Sequence, residues 1–219
     1  MLDSTALFYA ASILILVFSV IVHEVMHGYV ALMFGDHTAE RAGRLTLNPI
    51  PHIDLLGTII LPGILLLLPL LTGTSPGFLI GWAKPVPVNP LNFRDLKKGE
   101  IFVSLAGVIS NFVLALLFAV LYHATSSLFG NYQMLIQIFE FGVQINLVLA
   151  VFNLLPIPPL DGSKVVIALL PYQAARNFER ISLQYGFFII LLLLYLNIIG
   201  IVLGFIIPPL MRLLGIPAY

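Results

Sequence analysis

From Ile101 to Tyr122 the chain carries no charged side chain, and a stretch of that length has no means of presenting a polar face to water. Comparable runs extend from Ala6 to Val22, resuming beyond a short polar block as far as Phe34, from Met134 to Leu155, and from Ile181 to about Ile207, ahead of Pro208-Pro209. At roughly 1.5 Å of rise per residue, each can cross a hydrocarbon core of about 30 Å. With 60% hydrophobic and only 9% charged residues, the bilayer is the natural solvent for this chain. The expected fold is an all-α polytopic membrane protein with four clear transmembrane helices, forming a single membrane-embedded domain over residues 1–219.

A fifth apolar segment, Leu55 to Leu71, contains Gly57, Pro62, Gly63 and Pro69, which predicts a broken or re-entrant element. Between the first helix and the next clear span, Arg44-Leu45-Thr46-Leu47 alternates as a short strand or hairpin would, and the prolines of Lys84 to Pro90 impose an extended backbone. Short β or extended re-entrant elements are therefore expected there, with exposed edges able to receive an unwound substrate. Pro156 to Arg180 reads as a short interfacial helix. The N-terminal run lacks a basic leader and a small-residue cleavage pattern, so it is expected to remain in the mature protein. Basic residues gather in 36–54, 84–98 and 156–180 and are missing from 123–133, which assigns the first three to the cytoplasmic side of a cell membrane.

Ten basic residues balance ten acidic ones, leaving no electrostatic footprint for nucleic acid. Cysteine is absent, so thiolate nucleophiles and thiolate metal ligands are excluded. Any metal chemistry must use His, Asp or Glu.

His23-Glu24-Val25-Met26-His27 has the form H-E-x-x-H, which on a helix sets two imidazoles one turn apart on one face, as zinc requires. Placing these groups in an apolar helix costs on the order of 2.5–3.5 kcal/mol for each one that is charged, so something must compensate them. The bland alternative is mutual pairing in a bundle core, or a proton pathway. A catalytic zinc keeps three protein ligands, so a third must be found. Asp161 follows Asn153-Leu154-Leu155-Pro156-Ile157-Pro158-Pro159-Leu160, where prolines can turn a carboxylate into the bundle. Residue chemistry alone leaves it equally a ligand or a helix cap. Asn111 and Asn153, polar residues in apolar spans, are candidates for oxyanion or substrate binding, or for ordinary interhelical hydrogen bonds. His52 and Asp54 could line a site or form an interfacial pair, and His37 and His123 read as solvated helix ends.

The pair HEVMH and NLLPIPPLDG resembles the site-2 protease family of intramembrane zinc metalloproteases, whose signatures are HExxH and NxxPxPxLDG. The loops Gly43 to Pro49 and Pro85 to Pro90 are similar to those of its small bacterial and archaeal members, and no PDZ or CBS region lies within these residues. One departure is Gly107-Val108-Ile109-Ser110-Asn111, where members often carry Gly-Pro-x-x-Asn. The resemblance implies one Zn²⁺ held by His23, His27 and Asp161, with Glu24 as the catalytic base. It also implies a membrane-protein substrate with a transmembrane helix, cleaved at a site nearer the cytoplasmic face. Two other readings compete: a prenyl-protein-protease type with Glu140 as third ligand, and a transporter or metal-binding scaffold using His23 and His27 without proteolysis.

Overall fold

The computed structural model describes residues 4–60, 64, 82–128 and 132–217. Helix α1 (Ser4–Met33) ends at Gly35, whose φ of +102° only glycine adopts readily, and a single turn α2 (Thr38–Arg41) follows. After the irregular segment come α3 (Leu96–Leu128), α4 (Gln133–Leu154), α5 (Asp161–Leu169), α6 (Tyr172–Tyr195) and α7 (Ile198–Leu213). Four of these, α1, α3, α4 and α6, are long and apolar enough to cross a membrane.

Helix α3 is the hub, touching α1, α4 and α5. Val103, Gly107, Asn111, Ala115 and Ala119, spaced four apart, form its buried stripe. Mostly small, they let neighbouring backbones approach closely, the usual basis of helix association in lipid. Ala115 and Ala119 join Val143, Leu147 and Val151 of α4 and Ile207 and Met211 of α7 in one apolar cluster. On the outside, Leu14, Val120 and Phe188 stand exposed, as lipid-facing side chains should.

The structure departs from expectation in three places. No strand occurs among the described residues, so the anticipated β and extended edge elements are not found. The amides that a strand would offer to a ladder are already bonded: Lys84 N–H to His52 O at 2.9 Å, Val86 N–H to Glu24 Oε2 at 2.9 Å, and Asn89 N–H to Asp36 Oδ2 at 2.7 Å. Residues 46–50 likewise turn on their own side chains, through Asn48 N–H to Thr46 Oγ1 and Ile50 N–H to Asn48 Oδ1.

The apolar run 181–207 is not one span. It breaks at Asn197, which adopts the left-handed conformation (φ 56°, ψ 18°), and Pro208 and Pro209 lie inside α7 instead of ending a helix. Of the apolar stretch 55–71, residues 55–60 form a π-helical turn; its reading as a broken or re-entrant crossing falls mainly on residues outside those described. The interfacial helix expected within 156–180 is α5, and the residues from Tyr172 onward already belong to α6.

Candidate metal centre

Helical spacing puts His23 and His27 on one face of α1, with ring centroids 4.7 Å apart. Asp161 reaches them from across the bundle as the first residue of α5. Glycine at 162 makes this approach feasible, because a Cβ there would lie 2.1 Å from Leu154 O. All three residues are buried. Asp161 Oδ2 lies 3.1 Å from His23 Nε2 and 3.1 Å from His27 Nε2, and the three ligand atoms fall within 4.8 Å of one another. Asp161 is therefore no simple helix cap; Leu160 occupies that position and makes no side-chain cap bond.

The surroundings decide which ring nitrogens are free. His27 Nδ1–H donates to Val103 O at 2.6 Å, and His23 Nδ1–H donates to Asn111 Oδ1 at 2.6 Å. With each proton committed to an acceptor on Nδ1, a neutral imidazole presents a bare lone pair at Nε2. Two such lone pairs and a carboxylate oxygen then face each other with no hydrogen among them. A cation resolves the repulsion, and the set suits zinc: ligands about 2.0–2.1 Å from a tetrahedral centre are about 3.3 Å apart, close to the observed contacts. The other carboxylate oxygen, Asp161 Oδ1, accepts from Lys164 Nζ at 2.9 Å, which turns Oδ2 inward.

A cleft of about 400 Å³ opens beside these atoms, lined by Glu24, His27, Val86, Ser104, Asp161 and Lys164 among others. Glu24 accepts Val86 N–H on Oε2. That clamp ties the 82–92 segment to α1 beside the two histidines. Buried Arg44 reinforces it by donating to Lys84 O at 2.7 Å and Pro85 O at 3.2 Å.

Other sequence candidates fall elsewhere. Asn111 is fully buried against His23, with its amide donors occupied by Ser19 O and Asn146 Oδ1. Asn153 donates to Leu149 O, one turn back in its own helix. Glu140 faces a separate cavity shared with Gln144, Leu203 and Pro208. His52 is buried and bonds Thr46 O, Asp54 accepts Gly57 N–H, exposed His37 pairs with Glu40, and His123 bonds Leu214 O. Sequence reading gave no role to Gly107, where a Cβ would lie 2.5 Å from the His23 ring, nor to Lys164. The glycine was visible, but which ring crosses it is a property of helix packing.

Comparison with known proteins agrees with the donor set. The sequence profile described as peptidase family M50 matches residues 123–193, which include Asp161. The chain is 40% identical over 186 residues to "Putative zinc metalloprotease YwhC" of Bacillus subtilis, covering 83% of this chain and 78% of that protein. It is 32% identical over 180 residues to "Putative zinc metalloprotease Rip2" of Mycolicibacterium smegmatis, covering 80% of this chain and 63% of that one. A 64-residue stretch is 45% identical to "Putative zinc metalloprotease MJ0611" of Methanocaldococcus jannaschii, 31% of that protein. No solved structure matches the chain.

Proposed function

Because the chain belongs to peptidase family M50, the site-2 proteases that its motifs resemble, we propose that it hydrolyses a peptide bond within or near a membrane-spanning segment of a protein substrate. The observation that carries this reading is the meeting of His23 Nε2, His27 Nε2 and Asp161 Oδ2, beside a cleft that also exposes Glu24. These three atoms would hold the zinc. When bound, zinc supplies Lewis acidity, which eases deprotonation of water and polarises a carbonyl.

The remaining work falls to the chain itself. Val86 N–H holds Glu24 through Oε2 and leaves Oε1 to take a proton from the attacking water. As the water oxygen bonds to the carbonyl carbon and the C–N bond breaks, Glu24 returns that proton to the leaving amine. Lys164 keeps the Asp161 carboxylate turned toward the imidazoles. Asn111, with its donors occupied, positions His23 in this reading, while Asn153 has one amide hydrogen left after Leu149 and is the proposed oxyanion donor.

Between His23 and the end of α1 at Met33 there is about 15 Å of helix, at roughly 1.5 Å per residue, which supports a site below the membrane surface. Arg94 N–H bonds Phe34 O just past that end, and with Lys84, Lys97 and Lys98 near it in sequence the positive-inside bias favours the cytoplasmic side. The decisive experiment purifies the protein with its Glu24→Gln and Asp161→Ala variants, measures zinc content, and assays cleavage of a membrane-spanning model substrate. Glu24→Gln should keep zinc and lose cleavage, and Asp161→Ala should lose both. Cleavage retained by Glu24→Gln would refute the mechanism, and full zinc occupancy in Asp161→Ala would remove the third ligand.

A further inference from the structure

The two histidines are fixed differently. His27 donates to a backbone carbonyl, which can only accept, whereas His23 donates to a side-chain amide, and an amide can rotate to present its nitrogen instead. If Asn111 turned over, Nδ1 of His23 would face a donor and become the bare nitrogen, and the proton would move to Nε2, where the metal belongs.

Two backbone carbonyls oppose that rotation. Asn111 Nδ2 donates to Ser19 O at 3.4 Å and to Asn146 Oδ1 at 3.0 Å, and Asn146 Nδ2 donates to Gly142 O at 2.9 Å and to Ser19 Oγ at 2.9 Å. Flipping either amide would set its oxygen against a carbonyl oxygen, in a place water does not reach. Ser19, Asn111 and Asn146 are each 0% exposed. Ser19 also precedes His23 by one helical turn, so α1 carries both the ligand and part of its anchor.

We propose that Asn146 and Ser19 are positioning residues of the metal centre: they lock the Asn111 amide, which selects the Nδ1–H tautomer of His23 and aims its bare Nε2 at the ion. The proposal rests on His23 being a zinc ligand. A partner hydrogen-bonded directly to a ligand, as Asn111 is to His23, typically changes metal affinity 10- to 100-fold when lost, and Asn146, one hydrogen bond further out, acts through it.

The test uses the purified full chain and its Asn146→Ala, Ser19→Ala and Leu147→Ala variants. Zinc dissociation constants come from competition with a chromogenic chelator, and ligand geometry from the visible spectrum of the Co²⁺-substituted proteins. Asn146→Ala should weaken zinc binding about tenfold, the low end of that range, and shift the cobalt bands. Ser19→Ala, which removes one oxygen and serves if the first variant does not fold, should move both readouts several-fold less in the same direction. Leu147→Ala, a cavity next to Asn146 in the apolar cluster, should lower the melting temperature and leave affinity and spectrum alone. Wild-type affinity in both polar variants, or an equal loss in Leu147→Ala, overturns the proposal. A wild-type chain that binds no zinc overturns the metal reading along with it.

Discussion

At Gly107 a hydrogen stands where any other residue would place carbon 2.5 Å from the His23 ring. That ring is also tied to Asn111, one turn further along the same helix, so it cannot retreat without losing its aim. Gly107→Ala is expected to weaken zinc binding and cleavage at least tenfold. Gly204→Ala, where a Cβ meets nothing within 4 Å, should leave both unchanged and raise stability by about 0.5–1 kcal/mol, as measured by chelator competition and thermal melting. At this scale the sequence was most informative where chemistry is rare. Two imidazoles and a carboxylate in HEVMH have few uses in an apolar helix, and Asp161 followed from the second motif. Asn111 was visible as a polar residue in a span, but its partner was not. Ser19 and Asn146 offered no signal, since lone polar residues in membrane helices commonly bond to a neighbouring helix.

Among the elements, the 82–92 segment shows how side chains can substitute for a sheet. Its fold depends on Asp36, a buried carboxylate that accepts from Thr38, from Asn89 N–H and from Asn92 Nδ2. Burial pushes this carboxyl up, but the hydrogen bonds from Thr38, Asn89 and Asn92 outweigh it and hold it below its ordinary value of 3.8. A group depressed in the folded state contributes stability above the unfolded value and loses it as pH falls through the lower folded value. Melting temperature should therefore drop below about pH 4 in the wild type, and Asp36→Asn should be less stable at pH 7 with a shallower acid limb; the difference between the two curves isolates this carboxylate. Alternation in Arg44 to Leu47 pointed to a strand because periodicity reports faces, whereas this stretch is shaped by side-chain turns at Thr46 and Asn48 and by the long-range bonds of Arg44 to Lys84 O and Pro85 O. The break at Asn197 was hidden for another reason: a single Asn changes the hydropathy of a run very little, yet tolerates a backbone conformation that Leu or Ile would resist by about 1–2 kcal/mol.

For the molecule as a whole, the number of spans was legible from apolar length, but their neighbours were not. Only the structure shows that α3 is central and that α1 and α5 both pack on it. Because the proposed ligands come from separate helices, the ion should act as a tie between them. Removal of zinc with a membrane-permeant chelator is expected to abolish cleavage and lower the melting temperature, and zinc should restore both. At a free concentration 100 times the dissociation constant, the recovered stability would be about 2.7 kcal/mol. A melting curve indifferent to chelation would mean that the ion does not bridge the bundle.

The first imidazole and the carboxylate that completes its site are 138 residues apart. During synthesis, a chain that has threaded only α1 into the bilayer holds two histidines and a glutamate but no third ligand. On the proposed reading, the order of translation would leave the nascent chain without its third ligand, and so inert toward its neighbours, until α5 has emerged, by which time nearly all the helices that enclose the cleft would be in place.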